Sequence, residues 1–431
     1  MKLERRLMPQ KASWCPQMQD SRNILIIVQN LPVPFDRRVW QEATSLRRHG
    51  FGVAVICPKK GSCTASYERL EDVDIYRYPL VYEANKGVLG YFVEFVYCWL
   101  ASLWLALKAY LHRPFHAIHA CNPPDTFFAL ALLFRPLGVK FVFDHHDLCP
   151  EMFVAKGRSR TGLLYRGLLM LEKMTLKSAD AVIAVNESHK EIALRRGGIS
   201  EANVTVVRSG PRGEWANIHS PCPELKRGRQ HMVMYLGEMC EQDGVSHLLR
   251  AVQTYRTIAP DDTLFAFCGG GPDQPRMKAM AEEMGLGPVV HFTGRIPDQH
   301  LWDYLSTADL CVDPDPFTEW SNMSTMNKMI EYMAFGCPIV AFDLLEHRRT
   351  AETAAVYVEG NDDAALGRAI RQLLLDADRR QSMSTFGRAR FRKDLAWENS
   401  EKHLIATYRY LLNGQAHAQA LTSRADSGTV L

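Results

Sequence analysis

The sequence predicts an α/β protein built from two tandem Rossmann-like domains facing a cleft. Three observations point there. At 431 residues the chain is long for one hydrophobic core and comfortable for two domains of about 200 residues each. Near its start, a continuous apolar run, Asn23 to Gln29 (NILIIVQ), is followed by a helical pattern, Val39 to His49, and a second apolar run, Gly52 to Cys57 (GVAVIC). That is a β-α-β unit with strands buried on both faces. After a polar stretch bearing proline and glycine, Ser209 to Arg229, the same alternation begins again at His231.

Each element follows from its composition. In the first domain, residues 22–208, further strands are expected at Ala117 to His119, Lys140 to Asp144, Ala181 to Val185 and Val204 to Val207. Helices are expected at Pro124 to Phe134 and Thr161 to Lys177. Val88 to Leu107 is apolar with one charge, Glu94, and long enough to span a bilayer. A spanning helix there would cut the sheet in two, so the expectation is a core or membrane-dipping helix. Residues 209–229 read as a linker. The second domain, residues 230–396, alternates strands at His231 to Leu236, Thr263 to Cys268, Val289 to Phe292 and Leu310 to Asp313 with helices at Val245 to Arg256, Gln274 to Met284 and Asp298 to Ser306. Ala364 to Asp376 and Asp378 to Phe391 close it, and a last helix, Trp397 to Leu412, falls in a segment of its own, residues 397–414. Residues 1–21, polar and basic without an apolar stretch, and residues 415–431, small and polar, are expected to be a disordered leader and tail.

Composition narrows the function. Hydrophobic content of 47% and charged content of 23% are those of a soluble globular protein, and a net charge of +3 makes no case for nucleic acid. The eleven cysteines form no C-x-x-C pair and no short spacing with histidines. Reduced thiols in a cytoplasmic protein are expected, with no disulfide frame and no metal site.

The most informative stretch runs from Trp320 to Glu346, WSNMSTMNKMIEYMAFGCPIVAFDLLE. Thr325 is the expected N-cap, Met326 to Ala334 the helix, Gly336 its stop and Pro338 to Phe342 a buried strand. Ser324, Asn327, Lys328 and Glu331 fall at i, i+3, i+4 and i+7 and share one polar stripe, while Met326, Met329, Ile330, Met333 and Ala334 form an apolar back. Free backbone N–H groups and small hydroxyl residues at the helix start suit an anion such as a diphosphate. The same stripe would also serve an ordinary surface helix with its charges in water.

The run NKMIEYMAFGCPIVAFD resembles the E-(A/Y)-M-A-x-G-x-P-V-V segment of the retaining glycosyltransferases of family 4, which have the glycosyltransferase-B fold. The resemblance extends over nearly all of Asn23 to Leu412. It implies that Glu331 holds the ribose hydroxyls of a nucleotide-sugar donor and that the last helix crosses back onto the first domain; the helix start, with Ser324, Thr325 and Asn327, remains the candidate diphosphate side. Two departures stand out. Where the family carries Arg and Lys on the donor diphosphate, the loop GEMCEQDG has Glu238 and Asp243, although Gly237 and Gly244 are kept. Backbone N–H groups there can still meet a phosphate, while the missing charge would fall to Lys328 or Arg295. The family's first glutamate, eight residues before Glu331, is Met323 here. Glu319 stands further back. The Q-D-G-V loop and the S-T-M-N-K helix start are closer to a subgroup associated with exopolysaccharide and O-antigen assembly.

Residues just after strands line the cleft of such a fold. DHHDLCPE, Asp144 to Glu151, follows a first-domain strand. Adjacent residues face opposite ways, so at most one of its two histidines enters the site. A polar hydrogen-bonded turn is the plain alternative; subgroup members carry a His-Asp-x-x-P-E run here, which favours His146 and Asp147. Gly270, in the CGGG turn of Gly269 to Gly271, and Arg295, in FTGRIP, resemble the family's nucleotide side. Asp313-Pro314-Asp315 imitates a metal-binding Asp-x-Asp but reads as a rigid strand exit. Asn122 and Phe35 to Arg38 are acceptor-side candidates. The pairs Arg37-Arg38, Arg47-Arg48 and Lys59-Lys60 read as solvated charge, or as anionic-lipid contacts beside the Val88 to Leu107 helix.

By this resemblance the chain is expected to be a metal-independent, retaining transferase without a cofactor. It would move a hexose-type sugar from a nucleotide-sugar donor to a saccharide acceptor, lipid-linked, in surface polysaccharide biosynthesis. Its expected place is the cytoplasm, peripheral on the inner face of the plasma membrane. His146, Asp147, Lys328 and Glu331 are the candidate catalytic residues. Gly237, Gly244, Gly270, Arg295, Ser324, Thr325, Asn327 and Glu331 are the candidate donor-binding set. A nucleotide-sugar 2-epimerase of the same fold and a catalytically silent, membrane-associated assembly subunit are the alternatives.

Overall fold

The computed structural model describes residues 22–80, 88–217, 220–259 and 261–414. The expected leader and tail lie outside the described residues.

The first domain is an eight-stranded sheet. Its strands are β1 (Asn23–Ile27), β2 (Gly52–Lys59), β3 (Tyr67–Leu70), β4 (Val73–Pro79), β5 (Ala117–Cys121), β6 (Lys140–His145), β7 (Ala181–Ala184) and β8 (Val204–Val206). They lie in the order β3-β4-β2-β1-β5-β6-β7-β8. All neighbours are parallel except the β3–β4 edge hairpin. The second domain is a six-stranded parallel sheet of β9 (His231–Leu236), β10 (Thr263–Cys268), β11 (Val290–Gly294), β12 (Leu310–Asp313), β13 (Ile339–Phe342) and β14 (Ala355–Val358). Its order is β11-β10-β9-β12-β13-β14. In both sheets the order reverses beside the first strand, the switch point at which such folds open a crevice for ligands.

The central strands are buried on both faces because they are apolar throughout: every residue of Ile24–Ile27 and of Thr263–Cys268 is buried. One face of the first sheet packs helices Val88–His112, Phe127–Phe134 and Leu163–Ser178, whose Cys98, Ala106, Phe127, Phe134 and Leu176 meet Leu25, Ile118 and Phe141. The other face packs helix Arg37–Arg48 together with the last helix, Trp397–Asn413. That last helix therefore returns from the second domain to the first. Trp397 Nε1 donates to Ser45 Oγ at 2.9 Å, and the Thr407 and Thr205 hydroxyls meet at 3.0 Å.

This layering corrects one reading. Arg37-Arg38 and Arg47-Arg48 begin and end a helix on the opposite face from Val88–His112, so they do not flank it. Most are not simply solvated either: Arg37 pairs with Asp298 at 2.5 Å, Arg38 is buried, and Arg48 pairs with Glu401 at 2.7 Å.

Candidate active site

On the second-domain side, helix Asn327–Phe335 starts one residue later than expected. Thr325 is not its cap. Met326 holds that position with no side-chain cap bond, because the Thr325 hydroxyl is engaged elsewhere. It donates to Glu346 Oε2 at 3.2 Å and accepts from Asn186 Nδ2, across the cleft, at 3.1 Å. Gly336 ends the helix in the left-handed conformation, φ +70°, and Met329, Ile330, Met333 and Ala334 are fully buried.

The polar stripe divides into two environments. Asn327 is exposed, and Ser324 Oγ donates back to the Trp320 carbonyl at 2.8 Å. Lys328 turns inward. Its Nζ donates to Asp315 Oδ1 at 2.5 Å, lies 3.4 Å from Asp313 Oδ1 and sits 5.3 Å from the centroid of the Tyr235 ring. The two acids hold its pKa well above the ordinary value despite burial. Burial and the neighbouring Asp313 push Asp315 well up. Asp313-Pro314-Asp315 is thus more than a rigid strand exit: it supplies the counter-ions of Lys328. The expectation that Lys328 is a free positive charge for the donor is corrected accordingly. Arg295, the other candidate, is exposed and lies over the first-domain Phe35 ring at 4.2 Å.

Glu331 is different. Only about a sixth of its side chain is exposed, its nearest cation is Arg37 Nη1 at 3.9 Å, and among the described residues it makes no hydrogen bond. Burial pushes its carboxyl up to about 7, opposed by Arg37. It is an acceptor pair without donors.

Beside this helix runs the loop after β9. Gly244, at φ +66°, leads into helix Val245–Ile258; a Cβ there would lie 1.9 Å from the Pro314 carbonyl oxygen. Only glycine permits both that conformation and that approach. Lys328 Cε passes 3.4 Å from where a Cβ on Gly237 would stand, so the loop lies directly over the Lys328 cluster. Asp243 is pushed up to about 6, by burial first and by Glu238, against Lys328. Gly270 has open space on its side-chain face.

On the first-domain side the histidines of DHHDLCPE do face opposite ways. His145 is fully buried against Phe143 and His189. His146 is partly exposed, and its Nε2 meets both Asp144 Oδ2 and, at 2.8 Å, Arg38 Nε. This leaves Nδ1 as the ring nitrogen unengaged among the described residues. Behind His146 lies a cluster that local sequence reading missed. Arg38 Nη2 reaches Asp144 Oδ1 at 2.8 Å and Glu42 Oε1 at 3.0 Å, and His119 bridges Asp144 Oδ2 (3.2 Å) to the Tyr408 hydroxyl (2.7 Å) on the last helix. Arg38 holds Asp144 well below the usual carboxylate range, and burial pushes Glu42 well above it. Glu42, His119, Cys121 and Asp144 bring their ligand-type atoms within 4.8 Å of one another, but the guanidinium of Arg38 already provides the positive charge among them.

Asp147 is held through its backbone. Asn122 Oδ1 accepts from the His146 and Asp147 N–H groups at 2.6 and 3.1 Å, and its Nδ2 donates to the Asp147 carbonyl at 2.7 Å. Asn122 is therefore a buried clamp on this turn. The Asp147 carboxyl is pushed up by burial. The two walls touch at several points: Arg37 with Asp298, Arg160 with Glu319 (2.8 Å), Asn186 with the Met323 carbonyl (2.9 Å) and Ser188 with Glu346 (2.7 Å).

Comparison with known proteins agrees with this architecture. Residues 36–210 match a family model described as glycosyl transferase 4-like domain, and residues 230–376 match glycosyl transferases group 1. The chain is a glycosyltransferase of the family 4 type. Together the two matches take in most of both domains. The family 4 chain is 26% identical over 309 residues to a D-inositol 3-phosphate glycosyltransferase of Corynebacterium urealyticum, covering 65% of this chain and 69% of that protein. It is also 26% identical over 200 residues to the lipopolysaccharide core biosynthesis glycosyltransferase LpsD of Rhizobium meliloti, covering 46% and 53%. Among solved structures, sucrose-phosphate synthase from Thermosynechococcus elongatus superposes with a TM-score of 0.72 at 21% identity, over 91% of this chain and 100% of that one. Anabaena HepE in complex with UDP-glucose gives a TM-score of 0.64 at 15% identity, over 89% and 98%. These likenesses establish the glycosyltransferase-B fold.

Proposed function

We propose that this glycosyltransferase moves a hexose-type sugar, with retention of configuration and without a metal, from a nucleotide-sugar donor to a hydroxyl of a lipid-linked saccharide. The setting would be surface polysaccharide assembly of the exopolysaccharide or O-antigen kind, in the cytoplasm at the inner face of the plasma membrane. The observation that supports donor binding best is Glu331: a largely enclosed carboxylate without a hydrogen bond among the described residues, set between the two walls, suits two adjacent ribose hydroxyls. Lys328 is already paired with Asp313 and Asp315, so its net contribution to a diphosphate is small. Stabilisation of the leaving group then falls to backbone N–H groups at the Gly237 to Gly244 loop and at the starts of helices Val245–Ile258 and Asn327–Phe335. His146 Nδ1 and Asp147 lie on the opposite wall, as candidates to meet the sugar or the acceptor hydroxyl.

A thermal-shift screen over UDP-, GDP- and dTDP-sugars tests this. A donor at a hundred times its dissociation constant should stabilise the protein by about 2.7 kcal/mol. Anomeric configuration of the product, read by NMR, tests retention. If no nucleotide sugar moves the transition, the donor assignment is wrong. Met323, Glu238 and Asp243, at three positions where family 4 carries charged donor contacts, favour a second reading: a silent assembly subunit. Donor binding without turnover over a broad acceptor panel would support that reading.

A further inference from the structure

The layer of helices Val88–His112, Phe127–Phe134 and Leu163–Ser178 has its inner side in the first-domain core. Its outer side is apolar as well. Of the twenty-three large apolar side chains exposed among the described residues, fifteen lie on these three helices and the adjoining turn at residues 135–137. On the first helix they form a stripe that includes Val96, Leu100, Trp104, Leu107 and Leu111, opposite the buried Cys98, Ser102, Ala106 and Ala109. Trp104 is 68% exposed and Leu111 85%; on the third helix, Leu163 is 86% exposed. Patches of this kind on a protein surface mark an interaction site.

Charge identifies the occupant. Lys108, Arg166, Lys173 and Lys177 stand exposed among these side chains, whereas Arg135, on the adjoining turn, is paired with Asp180 at 3.2 Å. The acids on the same elements are Glu94, which is half-buried, and Glu172, which is fully buried against Arg196. A chain with a net charge of only +3 thus gathers uncompensated positive charge on its most apolar face. The layer also reaches the cleft. Tyr97 of helix Val88–His112 donates to the Pro79 carbonyl at the end of β4 at 2.7 Å, and Arg160, just before helix Leu163–Ser178, pairs with Glu319 of the second domain at 2.8 Å.

We infer that this three-helix face is a monotopic docking surface for an anionic phospholipid bilayer. The helices lie in the interface plane, their apolar side chains enter the acyl boundary and the lysines and arginines meet phosphate headgroups. The inference rests on the proposed peripheral location and deepens it: it names the surface and replaces the Arg37-Arg38 and Arg47-Arg48 pairs with residues on the correct side of the sheet. It stands apart from donor chemistry, since none of these residues contributes to the candidate active site.

The test is co-sedimentation of the full chain with vesicles of phosphatidylglycerol and phosphatidylethanolamine, against vesicles of phosphatidylcholine alone. The wild type should bind the anionic vesicles, lose much of that binding at high salt, and show quenching of tryptophan fluorescence by brominated acyl chains. Trp104→Glu/Leu163→Glu should lower partitioning at least tenfold. Lys173→Gln/Lys177→Gln should lower it less and weaken its salt dependence. The thermal transition and nucleotide-sugar binding of each variant should remain those of the wild type, which keeps a loss of docking distinct from a loss of fold or of donor binding. Equal partitioning of wild type and Trp104→Glu/Leu163→Glu overturns the inference. So does a wild-type dimer, by light scattering, that these substitutions dissociate, or a wild type that binds neither vesicle.

Discussion

Lys328→Met tests whether the lysine beside the donor loop serves catalysis or the fold. Its Nζ is buried, 2.5 Å from Asp315 Oδ1 and 3.4 Å from Asp313 Oδ1. Removing one partner of a buried ion pair leaves uncompensated charge and costs about 3–5 kcal/mol. For a domain of this size, about 2–4 °C of Tm accompanies each kcal/mol, so a fall of roughly 6–20 °C is expected. The two remaining acids would hold protons more tightly in the folded state than in the unfolded chain. A folded state that binds more protons loses stability as pH rises, so the variant should be less destabilised at pH 5 than at pH 8. Lys328→Met/Asp315→Asn removes the excess negative charge and should recover part of the lost Tm. Turnover separates the roles. If Lys328 also stabilises the leaving diphosphate, kcat should drop by about 10²–10³-fold in both variants, including the one whose stability recovers. If it is structural only, kcat should recover with Tm in the double variant. Calorimetry and steady-state kinetics on the two variants decide it, and a single variant with wild-type Tm would refute the buried-pair account.

Three further outcomes follow from the geometry. In the proposed donor site Glu331, with its carboxyl raised to about 7, would have to be ionised to accept two ribose hydroxyls; donor KM should therefore rise as pH falls below 7, by up to about tenfold per unit, and Glu331→Gln should show a higher but flatter KM profile. Arg38→Met strips the cation from between Asp144 and Glu42 and should cost about 3–5 kcal/mol, with Arg38→Lys restoring part of the stability; the ¹⁵N shifts of His146 should change in both, because Arg38 Nε bonds its Nε2. Gly244→Ala places a methyl against the Pro314 carbonyl and should cost about 1–3 kcal/mol of stability from overpacking, read by calorimetry, with the first-domain cluster unaffected.

What could be read from the sequence follows a physical rule. β1 and β10 were legible because a strand covered on both faces must be apolar throughout, a property that survives without any knowledge of its neighbours. The edge hairpin β3–β4 was not assigned, since YERL in β3 is largely exposed and carries no such mark. The helix bearing Lys328 and Glu331 was legible from its spacing, and so was the opposite facing of His145 and His146. Partnership was not. Arg38 looked like half of a solvated basic pair because its anion, Asp144, lies 106 residues further on. Thr325 looked like a cap because a threonine before a helix usually is one; its hydroxyl is instead drawn to Asn186, 139 residues away, and to Glu346. Short-range pattern reports which side of an element meets the core, whereas charge pairing is decided by which strand ends the topology sets side by side. Here that difference bears on chemistry. Both cleft walls hold a buried cation clasped by two acids, Arg38 by Asp144 and Glu42, Lys328 by Asp313 and Asp315. Counting basic residues near the site therefore overstates the positive charge open to a diphosphate. With Glu238 and Asp243 on the loop after β9, the proposed diphosphate would be met by the neutral N–H groups of that loop and of the two helix starts.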